Sequence, residues 1–265
     1  MTEPTLGLMA LVVGLGVGVG VVGGILGIGG GIVLAPALLY LPPLVGVGNL
    51  DMKATAGLTI THSLATCLSG TLRHRTFGMV HTRLVLWMGG SIFVGASLGA
   101  LASHWVANAT LLVVFAGLAA AAAVLMAFPK DDADTVTDAN TCAFDTRLAV
   151  LIGAGMGCLG GMVGQSGSFL LVPLMLQVLK LPTRVVVGSN LAIAFLASFA
   201  GFAGKAATHQ IPFLLAACLV LGAVPGAQLG GLLSHKVKAA WLRRGLAVVV
   251  AVAALRILAD VCTAG

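Results

Sequence analysis

Two short stretches hold most of the residues with chemistry to offer. "GIGGG", Gly27–Gly31, and "GQSGS", Gly164–Ser168, each sit inside a long apolar run. A glycine cluster lets a chain turn and restart a helix, and the restarted helix begins with N–H groups that have no carbonyl partner of their own. Such donors, at the positive end of the helix dipole, make a place for an anion. Gly29, Gly30 and Gly31 in the first stretch, and Gln165, Ser166, Gly167 and Ser168 in the second, are the candidate binding residues. The helix after each stretch adds Thr59 and His62, or Ser189 and Asn190. No Asp or Glu lies in these runs, so no fixed negative charge waits there for a cation.

Other chemistries fit less well. "GQSG", Gly164–Gly167, matches the G-x-S-G of intramembrane serine proteases, but that chemistry needs a histidine within reach of the serine. His209 is predicted in a loop and His62 belongs to the other half of the chain. "GIGGG" follows no strand and is no dinucleotide fingerprint. The cysteines Cys67, Cys142, Cys158, Cys218 and Cys262 show no metal-ligand spacing. No enzyme activity, metal or cofactor is expected. His62, the sole titratable group in the middle of an apolar span, either carries a proton or is a neutral histidine satisfied by a neighbouring helix.

The elements that must position these residues lie in lipid. Hydrophobic residues make up 59 % of the chain and charged residues 8 %, against about a quarter in soluble domains. Uncharged apolar runs (Leu6–Leu50, Leu84–Phe128, Leu148–Leu179, Val185–Gly204, Gln210–Ser234) exceed the length that reads as membrane-spanning, and Ala54–Leu72 and Gly245–Leu255 complete the set. The N-terminal "MTEP" has no positively charged leader region. The net charge of +6 sits in short loops between spans, the positive-inside pattern, and forms no continuous surface for nucleic acid. A multi-pass protein of the bacterial inner membrane is expected, with lipid as its surroundings and a homo-oligomer left open.

The chain is written nearly twice. At a constant offset of 131, Gly57, Gly70, Gly95 and Gly99 meet Gly188, Gly201, Gly226 and Gly230. Upstream the offset is 137, and Pro36 meets Pro173. Residues 1–128 and 147–265 are the two transmembrane repeats, joined by a polar linker, 129–146, rich in Asp. Arg73, Arg75 and Arg83 mark a loop of the first repeat whose counterpart, Lys205–His209, has one lysine; Lys236, Lys238, Arg243 and Arg244 reverse that bias for the next loop. Equivalent loops therefore prefer opposite sides, as inverted repeats require. Each repeat reads as a Gly-broken helical hairpin followed by three transmembrane helices, an all-α polytopic fold. Whether a hairpin crosses or re-enters stays open. Arg256 is read as snorkelling from the last span.

"GIGGGIVLAPALL", "LSGTLRHRTFGMV" and "GASLGALAS", followed by "GSFLLVPLML", "VVVGSNLAIAFLASFAG" and "GAVPGAQLGGLLS", resemble the TauE/SafE family over almost the whole chain outside the linker. The resemblance implies export or uptake of sulfite, sulfonate, sulfoacetate or a related small anion; a transporter, read as an exporter, working by alternating access is expected, with import left open. A Gly-Thr-Ser-like triplet common in that family survives as Gly188-Ser189-Asn190, whereas the first repeat has Leu58 opposite Ser189, leaving Thr55, Thr59 and Thr61 as substitutes. A passive anion channel is the rival reading.

The charge asymmetry gives a direct test of topology. In a background without native cysteines, a single cysteine at Phe77 should resist an impermeant maleimide added to intact cells, and one at Thr208 should react. Equal labelling of both would overturn the inverted arrangement.

Overall fold

The computed structural model describes residues 5–26, 29–74, 80–127 and 142–234. Among these the chain is helical: α1 (Leu6–Leu26), α2 (Gly31–Val45), α3 (Met52–His74), α4 (Thr82–Ala102), α5 (Asn108–Ala127), α6 (Thr146–Val163), α7 (Ser168–Gln177), α8 (Thr183–Ala207) and α9 (Phe213–Ser234). Gly27, Phe77, Arg75, most of the polar linker, the basic cluster Lys236–Arg244 and the last predicted span with Arg256 lie outside the described residues.

Five of the described helices, in α1, α4, α6, α8 and α9, are long and apolar enough to cross a membrane. The chain is a multi-pass integral membrane protein. Their outward faces are apolar as lipid demands: Leu86 on α4, Leu151 on α6 and Leu221 on α9 are all about seven-tenths exposed (69 %, 70 % and 72 %). The second arm of each hairpin is shorter. α7, with ten residues, rises about 15 Å, half of a hydrocarbon core of about 30 Å, and α2, with fifteen, about 22 Å. Neither second arm is a full straight crossing.

Helix direction follows from a few contacts. Thr5 Oγ1 donates to Val47 O (3.2 Å), so the start of α1 lies beside the end of α2. Lys53 at the start of α3 donates through Nζ to His104 O (2.8 Å), just beyond the end of α4. Gly29, just before α2, lies against Ser63 and Cys67 in the second half of α3, so α3 returns along α2 and successive helices α1 to α4 alternate in direction. The long-range pairs are parallel: Gly153, Gly157 and Gly161 of α6 meet Met88, Ile92 and Ala96 of α4 in ascending order. Gly16, Gly20 and Gly24 of α1 climb Leu219, Ala223 and Ala227 of α9 in the same way.

These two seams carry the tightest packing. Glycine every fourth residue removes side chains from one stripe of a helix, and the partner's backbone fills the space. A methyl group on Gly99 would strike the Cys158 carbonyl; one on its counterpart Gly230 would strike that of Val21. The sequence pattern of α9 and α4 announces half of each seam, and α1 and α6 supply the other half.

The core forms two lobes. One gathers apolar side chains of α1, α2, α3 and α9, the other those of α4 to α8 with Ile32 and Ala35 of α2 and Met52 of α3. Each lobe draws on both halves of the sequence. α3 and α8 pack on one another where the lobes adjoin and contribute side chains to both. α3 is long enough to span yet carries Thr55, Thr59, Thr61, His62, Ser63 and Thr66, all buried. Lipid would reject that face; its place between the lobes hides it.

The seams predict a selective sensitivity. Gly99→Ala and Gly230→Ala should each lower stability by about 1–3 kcal/mol through overpacking. Gly90→Ala and Gly117→Ala, at positions with open space, should stay within about 0.5 kcal/mol. Reversible unfolding in detergent micelles measures all four, and equal costs would contradict the packing described.

Candidate functional site

Both helix restarts use the same backbone device. Gly30 caps α2 with φ 71° and ψ −6°, and its carbonyl accepts from Val33 N and Leu34 N (both 3.1 Å). Gly167 caps α7 with φ 68° and ψ −4°, and its carbonyl accepts from Leu170 N and Leu171 N (both 3.0 Å). The left-handed conformation strains any residue with a Cβ, which explains glycine at both caps. No side chain caps either helix start, and Gly31, Ile32 and Phe169 are buried. The N–H groups of Gly31 and Ile32, and of Ser168 and Phe169, precede the first intrahelical bonds.

The two breaks meet. Gln165, 2 % exposed, donates through Nε2 to Gly31 O (2.9 Å), reaching from the second break to the first residue of α2. A Cβ on Gly31 would collide with the Gln165 side chain, so glycine there admits the amide. Gln165 is itself fixed by its backbone N–H, which donates to Gly160 O (2.7 Å).

α3 grips both breaks. His62 is fully buried, and its Nδ1 lies 3.1 Å from Gly29 O. A carbonyl accepts only, so the proton sits on Nδ1 and a neutral ring keeps a bare Nε2. That Nε2 has no hydrogen-bond partner among the described residues. Ser63 Oγ (3.4 Å) and Thr66 Oγ1 (3.2 Å) also face Gly29 O, although Thr66 lies closer to His62 O of its own helix (2.9 Å). One turn earlier, Thr59 Oγ1 lies 2.9 Å from Gly164 O, and its one proton has Thr55 O (3.0 Å) as its alternative within the helix.

Sequence expectation and structure differ at several points. Thr59, His62, Gln165 and the capping glycines converge. Ser189 is engaged elsewhere: its Oγ accepts the His81 N–H (2.9 Å) at the start of α4. Asn190, the counterpart of Thr59, is fully buried on α8. Thr61 bonds Gly57 O within α3 (2.8 Å) and so is no free substitute hydroxyl. Lys205 is not in a loop; it belongs to the last turn of α8 and is 0 % exposed. Ser63 and Thr66 join His62 at Gly29 O, and the signal for them is spacing alone: Thr66 lies four residues from His62 and three from Ser63.

The donor set consists of uncapped backbone N–H groups, amides and hydroxyls in a buried, carboxylate-free place. It suits hydrogen bonding to a small oxyanion and offers no nucleophile–base–acid arrangement among the contacts described.

The chain matches the family described as sulfite exporter TauE/SafE over residues 12–257. It is similar to the probable membrane transporter protein YunE of Bacillus subtilis (strain 168), 26 % identical over 247 residues, covering 86 % of this chain and 89 % of the relative. A probable membrane transporter protein of Xylella fastidiosa (strain 9a5c) is 28 % identical over 244 residues, 88 % of each chain. No solved structure matches it significantly. A match over nearly the whole length, on a helical membrane fold with paired helix breaks, places the chain in the TauE/SafE family of membrane transporters, and it is not an enzyme.

Proposed function

We propose that the protein exports a small sulfur oxyanion, sulfite or a sulfonate such as sulfoacetate, by alternating access. The anion is held between the starts of α2 and α7. The observation that carries this reading is the Gln165 Nε2 to Gly31 O bond (2.9 Å), which ties two uncapped, buried helix N-termini into one place. Fixed N–H dipoles stabilise an anion without a counter-ion, and a half-helix pointing its N-terminus at mid-membrane is how such transporters hold anionic groups. The description of the family as sulfite exporters supports the choice of cargo.

Two further observations support a rocking mechanism on inverted repeats. Exchanging the repeats maps the α1–α9 seam onto the α6–α4 seam and leaves the α3–α8 pair in place. Helices α1 to α4 alternate in direction and α6 runs parallel to α4, so α6 opposes its counterpart α1. Each seam joins the first helix of one repeat to a later helix of the other, so each lobe can move as a body around a fixed central site.

Counterflow tests the transport reading. Proteoliposomes loaded with unlabelled sulfite should transiently accumulate labelled sulfite; a linear, unsaturable flux would favour a channel and overturn alternating access. For the site, Ser166→Asp should abolish transport and the thermal stabilisation by sulfite, because a resident carboxylate repels the anion. Ser166→Ala should cost one hydrogen bond to a charged group, about 1.5–3 kcal/mol, or about one to two decades in affinity. Normal transport by correctly inserted Ser166→Asp protein would rule the site out.

A further inference from the structure

Lys205 is the one ammonium among the described residues that is wholly buried within a helix of the bundle. Its Nζ donates to Ser103 Oγ (2.9 Å), Met162 O (3.1 Å) and Gln210 Oε1 (3.1 Å). All three are uncharged oxygens, and no carboxylate is among its partners. Burying an unpaired ammonium is expensive, and ionisable groups inside membrane helices are functional candidates for that reason.

Its position gives the charge a use. Met162 is in the last turn of α6, two residues before Gly164, where the second break begins. Ser103 is the C-cap of α4. Lys205 therefore sits against the C-terminal carbonyl end of α6 and the capping hydroxyl of α4. Met162 O, Ser103 Oγ and Gln210 Oε1 hold the ammonium in place, and no carboxylate is among them to cancel its charge. The offset of 131 that aligns the repeats puts His74 opposite Lys205, so both halves carry an ionisable nitrogen at the end of the corresponding helix.

We propose that the Lys205 ammonium is a fixed positive charge that compensates the transported anion, setting how strongly the site favours a dianion over a monoanion. It acts across the α6 C-terminus rather than by touching the helix starts, so it is a positioning charge. The proposal rests on the anion site assigned above.

Charge and structure can be separated at Gln210. Gln210→Glu keeps an oxygen for Nζ to bond while cancelling the positive charge, so a merely structural Lys205 would be left undisturbed or steadied. Lys205→Met removes the charge and the bonds together. Thermal shifts of each purified full-length protein are measured at mildly acidic pH against sulfate, a dianion there, and against methanesulfonate, a monoanion. In wild-type protein the dianion should bind more tightly. Gln210→Glu should lower that preference by about tenfold, the effect of one unit charge at short range in a partly shielded site. Lys205→Met, where it folds, should do the same, and Lys205→Arg should restore most of the preference. An unchanged preference in Gln210→Glu would overturn the role given to Lys205 while leaving the anion site standing. Failure of wild-type protein to bind either anion would overturn the site itself.

Discussion

Two interrupted helices inside hydrocarbon must hide their backbone polar groups, and here they hide them on one another. Gln165 of the second break bonds Gly31 O at the first, while Thr59 and His62 of α3 reach Gly164 O and Gly29 O. Irregular backbone survives at membrane depth only when protein or a wet cavity surrounds it. This set of bonds satisfies carbonyls and leaves N–H groups at the two helix starts. That imbalance is what the proposed anion site rests on: the groups left without an intrahelical partner at the two helix starts are donors.

The rest of the fold serves that meeting of breaks. The glycine seams bring α1 against α9 and α6 against α4 with backbone on backbone, so each hairpin is carried by helices of the opposite half. Such contacts rely on shape rather than on apolar transfer, since lipid is as apolar as any side chain. Between the two lobes, α3 keeps its polar face away from lipid and spends it on the breaks. α8 repeats the position of α3 with Asn190 opposite Thr59, but has Ile193, Ala194 and Ala197 where α3 has His62, Ser63 and Thr66. The two halves therefore share a backbone plan and differ in the side chains that fasten it.

Much of this was legible in the sequence. The offsets of the duplication fall on helix starts: Gly31 and Ser168 open α2 and α7, Thr82 and Phe213 open α4 and α9. Glycine clusters mark breaks because few other residues take the left-handed cap. The side-chain fastenings were less legible. A hydroxyl or amide reveals its type and not its partner, so Ser189 was expected at a break and is found bonded to His81. Lys205 looked like a loop residue because a lysine ends an apolar run; only the fold brings Ser103, Met162 and Gln210 around it, from positions up to 102 residues away. The shortness of α7 was hidden too, because an apolar run does not announce where its helix ends.

The most direct measurement of the central claim is anomalous diffraction from crystals soaked in selenite, a heavier analogue of sulfite. The selenium peak should lie between the start of α2 and the start of α7, within hydrogen-bonding distance of the backbone N–H groups that open those helices. A protein that transports selenite yet shows its peak only at the basic loops, with the helix starts empty, would contradict the account.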